Sequence, residues 1–236
     1  MRLGDHRLTL FFFVLTLATM LVMRQYFPAE LAIPLPGSDI RPVLLLEFAS
    51  KHEHLVHIFG EAGDPLRDAR IAGMHTGNVL DYLLMPAYAL LTFNFFRGIA
   101  SETPSGWWSL VGWMGVIAAL SDAVENALMF RIVAEFTAGN AGAYADMALL
   151  PYPVWIKFGL LAVTCGGAAW AFIRMKRWVL ALLCIPAPLM LVPGMLDPMG
   201  TAPLATTMIG LGWLAMAIHA GTRWYRSGAT PDQSKL

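Results

Sequence analysis

Asp122, Glu125 and Asn126 stand at positions i, i+3 and i+4 of a run that is otherwise largely apolar, from Trp107 to Phe130. On a helix that spacing puts all three on one face. A bilayer crossing needs about 20 apolar residues, which this run supplies. A carboxylate inside such a helix costs about 2.5–3.5 kcal/mol by insertion scales unless it is paired, hydrated or protonated. The chemistry open to such a group is to hold a proton, a cation or a cationic head group, or to act as a general acid or base.

Two further stretches carry matching polar residues. Asn78, Asp81, Met85, Tyr88 and Thr92 share a helical face in a second apolar run. Lys157 lies about one and a half turns into a later run that begins near Tyr152, with Trp155 as an interface anchor. Three helices place charge at similar depth, in the outer half of the bilayer, and this predicts one shared site. Asp81, Asp122 and Glu125, with Glu47, outnumber Lys157 and Arg131. Excess negative charge in low dielectric must be neutralised by protonation or by a bound cation. The same residues also fit a buried ion-pair network that only fixes helix register.

The elements that must position these residues are membrane helices. Apolar residues make up 57% of the 236 and charged residues 14%, against roughly 45–50% and 25% in soluble domains. The predicted fold is an all-α membrane protein, a six-transmembrane-helix bundle forming a single domain over residues 1–226. Its spans are expected near Leu8–Met23, Thr76–Phe96, Trp107–Val133, Tyr152–Ile173, Trp178–Met195 and Pro203–Ala220. Pro186, Pro188 and Pro193 should kink the fifth. The tail over residues 227–236 is expected to be disordered. The first span has the basic flank and short core of a signal peptide but lacks a small-x-small cleavage site.

Sixteen basic and sixteen acidic residues give zero formal charge, and no basic stripe points to nucleic acid. Short flanks carrying Arg2, Arg7, Arg97, Arg174, Lys176, Arg177, Arg223 and Arg226 fall on one side. The positive-inside rule therefore expects a multi-pass protein of the bacterial inner membrane with both termini cytoplasmic. Cys165 and Cys184 sit in apolar runs and read as core residues, not a disulfide.

Between the first two spans lies an external helical segment, about residues 27–75. Leu44, Leu45, Phe48, Leu55, Ile58 and Phe59 recur there at helical spacing, which predicts an amphipathic helix on, or dipping into, the outer face of the bundle. A second short helix is expected over residues 65–73. His54 and His57 are one turn apart and form a weak metal candidate, with no matched second pair to complete a tetrahedral site.

Leu46-Glu47-Phe48-Ala49, Asp81 with Tyr88, Asp122-x-x-Glu125-Asn126 and Lys157-Phe158 together resemble an uncharacterised family of bacterial polytopic integral membrane proteins. The likeness covers about residues 44–158 and leaves out the last two spans. It implies that Glu47 belongs with the buried set, and it carries no activity or cofactor.

The candidate ligand-binding set is Glu47, Asp81, Tyr88, Asp122, Glu125, Asn126 and Lys157, and no catalytic residue or cofactor is named. The leading expectation is a protein that binds or transports a proton, cation or polar head group. An intramembrane lipid-modifying enzyme is the first alternative, although no Gly-x-Ser-x-Gly or His-Glu-x-x-His motif occurs. A structural or assembly protein is the second. Membrane lipids are the expected partners, with a protein partner or a second copy left open. The topology is testable with a reporter fused after Gly228: it should read cytoplasmic, and a periplasmic reading would overturn the orientation.

Overall fold

The computed structural model describes residues 4–36, 38–103 and 105–229, with side chains described through residue 226. Eleven helices follow one another in these residues: α1 (His6–Met23), α2 (Pro42–Glu47), α3 (His52–Phe59), α4 (Arg67–Glu102), α5 (Gly106–Ala138), α6 (Gly142–Leu149), α7 (Pro151–Arg174), α8 (Trp178–Cys184), α9 (Pro186–Leu189), α10 (Leu191–Leu196) and α11 (Pro198–Ala229). The described residues contain no strand.

Five stretches are long and apolar enough to cross a membrane: His6–Met23, Arg67–Glu102, Gly142–Arg174, Trp178–Leu196 and Pro198–Arg226. The sequence predicts six. The difference lies in α5, whose first half is apolar and whose second half mixes Asp122, Glu125, Asn126, Arg131 and Glu135 into the run. Many large apolar side chains face outward, among them Leu83 on α4, Leu120 on α5 and Val179 on α8, each at least 60% exposed. Such a surface suits lipid better than water.

The central layer is α4, α5 and α7, with α5 packed against both others. Close approach of α4 and α5 depends on Gly115, where an added Cβ would run into the buried Thr92 side chain. Small residues allow such contacts between membrane helices. α1 lies along α4 and α11, and its first turn is tied down by Asn94. The Asn94 carboxamide accepts from Gly4 N at 2.7 Å and donates to Asp5 O at 2.9 Å and Thr9 Oγ1 at 2.8 Å. Gly139 ends α5 in the left-handed region at φ +72°, a conformation that costs a glycine least.

Several expected boundaries shift. The short helix expected over 65–73 is fused into α4, which at 36 residues extends about 54 Å, well beyond a bilayer core of about 30 Å. The single amphipathic helix after the first span is instead two helices, α2 and α3, separated at residues 48–51. In α2, Leu44, Leu45, Leu46 and Glu47 are consecutive and all buried. A helix lying on a surface would bury one stripe; this one is enclosed within the bundle, against α5 and α11. The kink predicted in the fifth span appears as the breaks at Ile185 and Met190 between α8, α9 and α10. α11 continues through Ala229, past the expected start of the tail, and residues 230–236 lie outside the described residues.

Replacing Gly115 with Val should force α4 and α5 apart and cost about 1–3 kcal/mol. Gly210, where an added Cβ meets open space, should accept Ala within about 0.5 kcal/mol. Thermal unfolding of both variants in detergent checks the contrast.

Candidate functional site

Lys157 enters the bundle from the second turn of α7 and is 7% exposed. Its ammonium lies 2.8 Å from Glu125 Oε1, 3.3 Å from Asp122 Oδ1 and 3.5 Å from Glu47 Oε1. Asp122 and Glu125 come from one face of α5, and Glu47 from the last turn of α2. One cation thus joins three separate elements. The convergence explains why α2 is enclosed: its carboxylate reaches Lys157 only if the helix enters the core.

Hydrogen bonds extend the cluster. Tyr88 Oη on α4 donates to Asp122 Oδ2 at 2.8 Å. Asn126 Nδ2 donates to Asp81 Oδ2 at 3.0 Å and to Asn78 O at 3.2 Å. Asp81 therefore joins through Asn126 rather than through Lys157. Trp213 on α11 stacks on Tyr88, with ring centroids 5.4 Å apart and planes 14° from parallel. Phe48 and Phe158 stack at 6.3 Å beside the lysine, whose ammonium lies 4.9 Å from the Phe158 ring centre.

All seven residues of the sequence-predicted set are brought together. Arg131, expected to share in the charge balance, is not among them: it points outward, 71% exposed at the side chain, and pairs with Asp146 at 3.1 Å. Ser121 donates to Pro153 O at 3.0 Å, which commits its hydroxyl to packing of α5 on α7. Thr92 spends its hydroxyl on the Tyr88 and Ala89 carbonyls one turn back.

The cluster faces a cavity of about 350 Å³, in the range typical of ligand pockets. Glu47, Asn78, Asp81, Tyr88, Asp122 and Lys157 line its polar wall, and Leu84, Met129, Leu161 and Ile209 are among its apolar residues. Glu47 Oε2 and Asn78 Oδ1 are buried without a hydrogen-bond partner. Glu125 Oε2, Asn126 Oδ1 and Trp213 Nε1 are unpartnered as well. Buried polar atoms are otherwise paired in more than about 90% of cases, so several in one cluster are notable.

Sequence reasoning missed Arg24, Arg41 and Trp213, which also line this cavity. The arginines read as ordinary charges of a loop segment; only the fold of that segment onto α4 and α11 brings them here. The histidine candidates do not converge. His57 Nδ1 is 2.8 Å from Ile33 O, and His54 Nδ1 accepts from Ser50 N at 3.3 Å. Burial, with Lys51 nearby, holds His54 below the usual imidazole range. Among the described residues no group of three or more His, Cys, Asp or Glu is arranged to hold a metal ion. Cys165 and Cys184 are free and buried.

Fold and site together give, among the described residues, an all-helical chain with five stretches long and apolar enough to cross a membrane and an acidic cluster pinned by one lysine beside a cavity. No protein-family model, curated protein or solved structure matches the chain.

Removing one partner of a buried ion pair costs about 3–5 kcal/mol, so Lys157→Met should destabilise by that order. Adding Glu125→Gln should recover part of the loss, because the pair then disappears together. Unfolding of the two single variants and the double variant in detergent measures the coupling. A double no more stable than Lys157→Met alone would separate Glu125 from the lysine.

Proposed function

We propose that this chain is a multi-pass protein of the bacterial inner membrane whose acidic cavity binds or transports positive charge: a proton, a cation or a cationic head group. The observation that carries the reading is the imbalance at the cavity. Glu47, Asp122 and Glu125 gather around the single ammonium of Lys157, Asp81 joins them through Asn126, and all but Glu125 line the open volume. Charge removed from water needs compensation, and one ammonium compensates one carboxylate. The unpartnered Glu47 Oε2 and Asn78 Oδ1 are acceptors only, so they favour an occupant that donates hydrogen bonds.

The orientation in this reading follows the short-loop charges: both termini cytoplasmic, α5 spanning with the others, and the cavity in the outer half of the bilayer. Ser121, the hydroxyl adjacent to the acids in sequence, donates to Pro153 O.

Octylammonium chloride is a simple probe. It should raise the thermal unfolding midpoint of the purified protein, since a ligand at a hundredfold excess over its Kd stabilises by about 2.7 kcal/mol. The shift should vanish in the Glu47→Gln, Asp81→Asn double variant. Equal stabilisation by octyl sulfate, or an unchanged response in the variant, would overturn the proposal.

A further inference from the structure

The cavity is not uniformly acidic. Arg24, which caps the end of α1, and Arg41, which precedes α2, both line it and are exposed. Neither is in an ion pair among the described residues, unlike Arg70, Arg131 and Arg223. The carboxylates of Glu47 and Asp122 are buried at 8% and 4% exposure. The two arginines therefore lie at the exposed rim, while the interior holds the carboxylates with the one lysine. Arg41 and Glu47 are six residues apart, which along a helix is about 9 Å.

Resting on the reading above, we propose that the occupant is a zwitterion: a primary ammonium that enters the acidic interior, joined by a short linker to a phosphate held at the rim by Arg24 and Arg41. Guanidinium groups bind phosphate through paired donors. A primary ammonium offers three donors, and Glu47 Oε2 and Asn78 Oδ1 are unpartnered acceptors in the cavity wall. A trimethylammonium group has no N–H and would leave both unpaired. A head group with net negative charge would meet the carboxylates. The apolar residues Met20, Met23, Leu84 and Ile209 on the same wall suit an attached acyl chain.

The lipid form of this chemistry is phosphatidylethanolamine, and the free form with the same phosphodiester is glycerophosphoethanolamine. The test is native mass spectrometry of the delipidated full-length protein with equimolar phosphatidylethanolamine, phosphatidylcholine and phosphatidylglycerol. A parallel thermal-shift titration uses soluble glycerophosphoethanolamine. Phosphatidylethanolamine should be retained about tenfold or more over the other two, the discrimination expected when buried acceptors would otherwise stay unpaired. The exposed substitutions Arg24→Gln and Arg41→Gln together should lower retention of all three lipids, which share the phosphate, while leaving the octylammonium response intact. Stabilisation by glycerophosphoethanolamine without lipid preference would assign the free zwitterion as the occupant. Equal retention of the three lipids with no glycerophosphoethanolamine response would overturn the proposal. If octylammonium still binds in that case, the cation-binding reading survives without the zwitterion.

Discussion

The ammonium of Lys157 is the point on which this structure turns. It holds carboxylates from α2 and α5 and is itself carried by α7, so a single buried cation fixes three elements. Attraction between unit charges at such distances is large in low dielectric, but so is the cost of desolvating them. A buried pair of this kind is weak evidence for added stability. Its evident consequence is positional: α2 is drawn into the bundle, and the segment leading to it becomes a cavity wall.

From that constraint the rest of the site follows. With α2 inserted, Arg41 is brought to the rim and Glu47 to the interior of one cavity. Tyr88 and Asn126 orient Asp122 and Asp81 by direct hydrogen bonds, and Trp213 lies flat on Tyr88 from α11. The acids are thereby held in place by neutral donors that add no positive charge. Among the buried side chains of the cluster, the carboxylates outnumber the one ammonium.

Much of the central cluster was legible from spacing alone. The i, i+3, i+4 placement of Asp122, Glu125 and Asn126, the facing run from Asn78 to Thr92, and Lys157 at the start of its helix all pointed inward, because charge cannot face lipid cheaply. Glu47 counts in the charge balance, but its place in the buried set comes from a resemblance; its own neighbourhood reads as surface. What stayed hidden depends on long-range contact. Arg24 and Arg41 meet the site because of how the chain between α1 and α2 returns to the bundle, and Trp213 because α11 packs on α4; no local period encodes either. The break between α2 and α3 was missed for a similar reason: their apolar spacing is nearly continuous, and burial on every side of α2 decides the outcome. The one-sided role given to Arg131 failed because Asp146, on the unforeseen helix α6, lies within its reach.

The central claim is that one lysine gathers three carboxylates from two other helices. Solid-state NMR of the protein in lipid bilayers tests it most directly, through dipolar recoupling between the Lys157 side-chain ¹⁵N and ¹³C-labelled carboxyl carbons. Assignment would come from Glu47→Gln, Asp122→Asn and Glu125→Gln. The account predicts couplings to all three carboxyl groups, consistent with N···O separations of 2.8, 3.3 and 3.5 Å. A coupling to Glu125 alone, with none to Glu47, would show that α2 does not enter the bundle and would contradict the account.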